Sequence, residues 1–336
     1  MRPNIDRKRK MANLNNNALL ASIRQRAEQS LAFASLVVIF VFFTFANEAF
    51  ATWSNITGIL LSTAVIGLLA IGTTFVIITG GIDLSIGTGV TLTSVMVGWA
   101  LKNMGMPIWM GILVGIATGA LMGFFSGLAI TRLQLPPFIA TLAMMLIAKG
   151  LALVISNVAP IYLESIEGYN SIALGNIIPN FPNAVLIFFV SAFIASIILN
   201  RTIIGRYTFA IGSNEEATKL SGINVDRWKI LVYVIGGIYI GLAGIVLSSR
   251  LSSAQPALGQ GYELEAIAAV IIGGTSLLGG KGSITGTVIG ALIMAVLING
   301  LRIMQIQQEW QTVVTGLVII VAVYADSVRR RNAGEL

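Results

Sequence analysis

The sequence predicts an all-α integral membrane protein with about ten transmembrane helices, and three observations carry that prediction. First, 56% of the 336 residues are hydrophobic and only 10% are charged, whereas soluble domains carry about 25% charged residues. Second, the apolar residues gather into ten stretches of roughly the length that crosses a bilayer as a helix. Third, 17 of the 21 Lys and Arg residues fall in alternate connecting segments. The same composition removes whole classes of chemistry. With no Cys and no His, disulfides, thiolate or imidazole metal sites and Cys or His nucleophiles are excluded. The net charge of +7 reflects membrane topology and contact with anionic headgroups, not nucleic-acid binding.

In chain order, residues 1–30 form a polar tail with the basic run Arg7-Lys8-Arg9-Lys10. This is longer than the leading region of a signal peptide and lacks a small-residue cleavage site, so the stretch 31–46 reads as a retained first span. The apolar run 56–101 is broken only by the glycine-led segment 80–85, which divides it into spans at 56–79 and 86–101. Further spans are expected at 107–130, 138–157, 183–199, 230–249, 264–275, 284–301 and 310–325, the eighth being short. Residues 326–336 form a C-terminal tail. With the N-terminus inside, inner segments hold seven basic residues before the first span, Arg132, five between 200 and 229, Lys281 and Arg329-Arg330-Arg331. Outer segments hold only Lys102, Arg250 and Arg302, and the long segment 158–183 has Glu164 and Glu167 without a basic residue. This bias predicts both termini in the cytoplasm.

Residues 200–229 are the one long interior segment dense in Arg, Lys, Glu, Asp and Asn. Ser213 and Glu216 fit a capping box, Lys219 suits a last helical turn, and Gly222 suits the position just beyond it. The pattern predicts a short exposed helix over 214–221. A capped helix between two spans suits docking to another protein; the competing reading is an ordinary solvated connector.

Glycines mark the rest of the architecture. Gly111, Gly115, Gly119, Gly123 and Gly127 recur every fourth residue, and Gly282, Gly286 and Gly290 repeat the device, giving seams where helix backbones can approach closely. The segments 80–87 and 273–282 are different. They interrupt apolar helices and free backbone groups, which suits either a cavity lining or a tight turn at the membrane surface. The match of Gly81-Ile82-Asp83-Leu84-Ser85 to Gly261-Tyr262-Glu263-Leu264-Glu265, followed by Gly119-Ala120-Leu121 and Gly290-Ala291-Leu292, suggests an inverted repeat. Asp83, Ser85, Lys149, Glu263, Gly273 and Gly274 are the candidate translocation-pathway residues. Lys149 falls mid-span, where a charge is costly, and Asp83 or Glu265 could pair with it. Chains of embedded carboxylates or histidines are absent, which favours a neutral substrate over a proton-driven carrier.

Gly279-Gly280-Lys281-Gly282-Ser283 fails as a phosphate-binding loop. The required Gly five residues before Gly280 is Thr275, and Gly282 follows the Lys where Ser or Thr is needed. No cofactor is expected on this chain, and any ATP and Mg would belong to a partner.

GGIDLSIG at 80–87, PPFIATLAMM at 136–145, the run 205–225 and the run 250–292 closely resemble the ribose-type monosaccharide permeases of bacterial ABC importers, a likeness spanning about 31–325. The resemblance implies a vitamin B12-importer-like (type II) permease fold in the bacterial inner membrane. It implies a second permease subunit, most simply an identical copy, with the pathway between the two. It implies a cytoplasmic ABC ATPase on the inner face and a periplasmic sugar-binding protein on the outer. It also implies that 200–229 carries the coupling helix, matched here by Gly205, Arg206, Ala210, Gly212, Asn214, Glu215, Ala217, Ser221 and Gly222. The rival reading is a stand-alone secondary sugar carrier or facilitator. An integral-membrane enzyme finds no metal cluster or catalytic dyad in a span.

Overall fold

The computed structural model describes residues 30–332; the basic tail at 1–29 lies outside the described residues. Each of the ten apolar stretches is a helix: α1 (Ser30–Ala46), α2 (Trp53–Ile78), α3 (Ile86–Lys102), α4 (Ile108–Arg132) and α5 (Pro137–Ile155), then, after intervening short elements, α7 (Asn183–Arg201), α10 (Val225–Leu251), α11 (Tyr262–Ile272), α12 (Ile284–Ile303) and α13 (Gln308–Asn332). Seven of these, all but α1, α3 and α11, are long and apolar enough to cross a bilayer. The remaining elements are short: β1 (Ile161–Tyr162), α6 (Ser171–Leu174), α8 (Ile203–Ser213), α9 (Glu215–Leu220) and β2 (Ser253–Ala254). Helix α13 continues past the expected end at 325 through the start of the proposed tail.

Helices α2 and α10 form the centre. The apolar window of α2 is 89% buried, and that of α13 only 6%. A helix apolar on every side, with no charged residue to orient it, buries all round, and α2 does so from Thr63 to Ile78. The peripheral helices leave large residues outward: Leu146 and Leu151 on α5, Leu317 and Val321 on α13.

The glycine positions of α4 face α10. Antiparallel packing sets Gly127 against Ile230, Gly123 against the Tyr233 carbonyl, Gly119 against Gly237 and Gly115 against Ile245 and Gly241. A Cβ at Gly119 would land on the Gly237 carbonyl oxygen, so this approach requires glycine. On α12, Gly286 and Gly290 meet the backbone of Gly273 and Ala269 at the end of α11.

The ends of the bundle differ. At one, which we call the island end, the termini of α2, α8 and α11 converge. At the other, β1 and β2 pair antiparallel, Ile161 with Ala254 and Tyr162 with Ser253. There the loop before α7 is pinned to α10. The Tyr169 hydroxyl shares a 2.6 Å hydrogen bond with Ser248, and Ser249 Oγ donates to the Tyr169 carbonyl at 2.8 Å. Burial pushes the Tyr169 phenol well above its usual range, so this tether stays neutral. Lys102 Nζ donates to Ser165 Oγ at 2.6 Å across the same end.

The sequences α2–α3–α4 and α10–α11–α12 share a plan: a long central helix, an irregular break, a shorter helix, then a second long helix.

Candidate functional site

The polar island folds as two helices rather than one. Thr202, extended at φ −108° and ψ 168°, turns the chain sharply from α7 into α8. The turn is tight enough that Gly205 lies on the Leu199 backbone. Gly205, Thr208 and Ile211 then bury one face of α8, a spacing of three that marks a helix packed flat on the bundle. Sequence reading misses α8 because its apolar residues match neither a span nor a solvated loop.

The docking candidate is α9. Its N-cap is Asn214, not Ser213: Asn214 Oδ1 accepts from Ala217 N at 2.8 Å, while Ser213 closes α8. Glu215 and Glu216 occupy the first turn and Lys219 the last, the arrangement that suits the helix dipole. Gly222 lies just past the C-cap at φ +83°, as the capping pattern requires. Only Thr218 of this helix is buried. Glu215 also pairs with Lys229 of α10 at 2.6 Å, and Tyr207 meets the Trp228 ring edge-on at 4.7 Å between centroids. Arg206, Asn214, Glu215, Ala217, Ser221 and Gly222 are exposed, and Ala210 is half-buried. Leu220, which sequence reading passes over, is 89% exposed. An isolated apolar residue in the last turn of a capped polar helix is the signal that could have found it.

Gly212 does something different. It faces inward onto the Ile78 carbonyl and Gly280 N, while Gly280 N donates to that same carbonyl at 2.8 Å. Gly279, at φ +86°, lies against Gly80 N and the Gly212 carbonyl, and Gly280, at φ +74°, against Ser213. Four glycines thus knot the end of α8 to the two irregular segments, 79–85 and 273–283.

Those segments hold most of the proposed pathway residues. Asp83 and Ser85 are both 1% exposed. Asp83 Oδ1 accepts from Ser85 N at 2.8 Å and from Ser85 Oγ at 2.6 Å, closing the turn that starts α3. Thr141 of α5 donates to the Ile82 carbonyl at 3.2 Å. Gly273 is packed on Gly286, and Gly274 turns at φ +86°. The structure also brings the loop before α11 onto the first turns of α3. The loop before α11 dips from the opposite end until Gly259 N donates to Thr91 Oγ1 at 3.0 Å, and both the Gly259 carbonyl and the Glu263 carboxylate lie against Gly87. Glu263 folds back on its own loop, accepting from Gly261 N at 3.1 Å. Lys149 stands apart. It is exposed on α5 and forms no ion pair with Asp83 or Glu265, because those carboxylates lie inside the bundle and Lys149 points away from it.

Among the described residues, no cluster of acidic side chains could hold a metal. The arrangement instead suits a mechanical role, with an exposed helix joined through backbone contacts to two helix breaks.

Comparison with known proteins agrees with this geometry. The family described as "Branched-chain amino acid transport system / permease component" matches residues 55–323. The ribose import permease protein RbsC of Haemophilus influenzae is 40% identical over 298 residues, covering 88% of this chain and 92% of that protein. RbsC of Bacillus subtilis is 41% identical over 302 residues, covering 90% and 92%. The fructose import permease protein FrcC of Rhizobium meliloti is 38% identical over 287 residues, covering 83% and 79%. No solved structure matches. The match from before the middle of α2 to within α13, together with relatives about 40% identical over most of the chain, shows that this protein belongs to the branched-chain amino acid transport system permease family, as a transporter subunit rather than an enzyme.

Proposed function

We propose that this chain is the membrane permease subunit of an ATP-binding cassette importer that carries a neutral monosaccharide across the bacterial inner membrane. The observation that carries the proposal is α9, a capped and exposed helix tied to the helix breaks of a chain whose only glycine-lysine loop cannot bind a nucleotide. The relatives' names, ribose and fructose import permeases, support a small sugar as cargo.

In this reading all ten helices are embedded, in a type II permease arrangement whose two halves, α2–α4 and α10–α12, are inverted repeats. The positive-inside bias puts the island end and both termini in the cytoplasm. There, α9 meets a partner ATPase holding ATP and Mg. The loop with Glu164, Glu167 and the exposed Ile177 faces a periplasmic sugar-binding protein. A second, identical permease subunit covers the apolar faces left open on α5 and α13, and the rest meets lipid. Asp83, Ser85, Lys149, Glu263, Gly273 and Gly274 lie on or beside the moving path. ATP closes the ATPase pair, α9 follows, and the glycine knot passes the motion to the two breaks. The binding protein and ATP must favour different states of this subunit, since a ligand shifts an equilibrium only through differential affinity.

Proteoliposomes test this directly. Chain, ATPase and binding protein together should accumulate labelled D-ribose or D-fructose when ATP is inside the vesicle volume that the ATPase faces. The chain alone should pass neither sugar. Sugar flux through the isolated chain would instead establish a carrier that needs no partner.

A further inference from the structure

A cavity of about 120 Å³ lies within the single subunit, between α2, α10, α11 and α12. It is separate from α9 and the glycine knot. Six polar residues converge on it: Ser62, Arg250, Tyr262, Glu265, Asn299 and Arg302, and the rest of its wall is apolar. Arg250 and Arg302 belong to the last turns of α10 and α12, so the cavity lies toward the end opposite α9.

Its charged side chains do not pair directly. Among the described residues, neither guanidinium forms an ion pair within 4 Å with Glu265. Arg250 reaches only Ser62 Oγ, at 3.5 Å, and Asn299 Oδ1 is buried without a hydrogen-bond partner. Arg250 and Glu265 are half-buried and Arg302 is exposed; the buried, unpartnered Asn299 oxygen is the costly atom, and the cost falls if something in the cavity donates to it. An anion would meet the carboxylate of Glu265, and a cation would meet two guanidinium groups. An apolar guest would leave every polar group unsatisfied. A neutral molecule with several hydroxyls fits, because each hydroxyl both donates and accepts. It can donate to Glu265 and to Asn299 Oδ1, accept from Arg250 and Arg302, and lay its C–H face on the apolar wall. At about 10–15 Å³ of such space per water-sized group, the cavity takes on the order of ten of them, the scale of one monosaccharide and not of a sugar chain.

We infer that this cavity is a binding site for one neutral polyhydroxylated molecule of monosaccharide size, held inside a single subunit. The choice of a sugar over another polyol rests on the permease reading above; the donor and acceptor pattern does not.

Saturation-transfer NMR on the full chain in lipid nanodiscs tests the site, with D-ribose and D-fructose as probes and inorganic phosphate as competitor. At least one sugar should give a saturable signal, weakened tenfold or more by Glu265→Gln and by Asn299→Leu. The latter nearly conserves volume and removes the unpartnered oxygen, so it should fold. Phe193→Leu, on the exposed face of α7, should leave the signal unchanged. Three results would overturn the inference: no saturable signal from the folded wild type, which leaves a cavity of water only; a signal indifferent to both cavity variants; or displacement of the sugar by phosphate. ATP-driven uptake in the assembled importer keeps the two claims apart. Wild-type uptake without cavity binding sinks the site alone, whereas cavity binding without any ATP-driven uptake sinks the permease reading and leaves the site standing.

Discussion

At the scale of single residues, the informative side chains are those whose exposure contradicts their chemistry. Leu220 is 89% exposed on a helix otherwise made of polar and small residues. Fully burying such a side chain at an interface is worth about 2 kcal/mol. Leu220→Ala should therefore weaken binding of the purified ATPase by on the order of 30-fold. It should leave the thermal stability of the permease unchanged, since exposed substitutions shift stability by no more than about 0.5 kcal/mol. Interferometry with immobilised permease, alongside a melting curve, reads both. Asn214 makes the complementary case. Its side chain caps α9 through Ala217 N, and loss of such a cap costs about 1 kcal/mol. In a six-residue helix with a single buried residue, little else can compensate. Asn214→Ala should fray α9, raising hydrogen exchange at Ala217 and Thr218 and lowering ATPase affinity, while Asn214→Asp, which keeps the acceptor, should restore both.

At the scale of elements, backbone contact joins the end of α8 to the irregular segments and α4 to α10. The docking pattern groups Gly212 with Ala217, so that bulky residues at both would uncouple transport without harming the fold. The structure separates them. Ala217 is exposed, but a Cβ at Gly212 would land on the Ile78 carbonyl oxygen. Filling packed space costs about 1–3 kcal/mol. Gly212→Val should thus lower the melting temperature in detergent and separate α8 from 79–85 and 273–283, whereas Ala217→Val should leave the melt unchanged and act only on ATPase binding. The α4–α10 seam obeys the same rule with higher stakes, because it joins the two central triplets of helices. Gly119→Leu should abolish folded protein on size-exclusion chromatography, while a similar change at Gly58, which has nothing within 4 Å, should be silent.

At the scale of the whole molecule, the sequence makes legible whatever composition alone determines. The ten apolar stretches coincide with helices because length and hydropathy suffice to define them, and Gly222 lies at a helix end because its backbone there is left-handed. What stays illegible depends on tertiary partners. Lys149 reads as buried because it is mid-span, but span membership does not say which way a residue faces on a helix packed on one side only. Arg250, Glu265 and Arg302 are scattered over α10, α11 and α12, and only folding gathers them around one cavity. Orientation sits between these cases: it follows from charge counting and has a clean test, because the chain contains no Cys and each introduced thiol is unique. Ile177, 76% exposed near β1 and β2, and Leu220 on α9 lie at opposite ends. With both termini inside, a membrane-impermeant maleimide should label Ile177→Cys in intact spheroplasts and Leu220→Cys only in inverted vesicles. Addition of the ATPase should then protect Leu220→Cys and leave Ile177→Cys reactive. Labelling of Leu220→Cys from outside would invert the topology and remove the cytoplasmic partner from α9 altogether, whereas correct sidedness without protection would keep the topology and place the ATPase contact elsewhere on the island end.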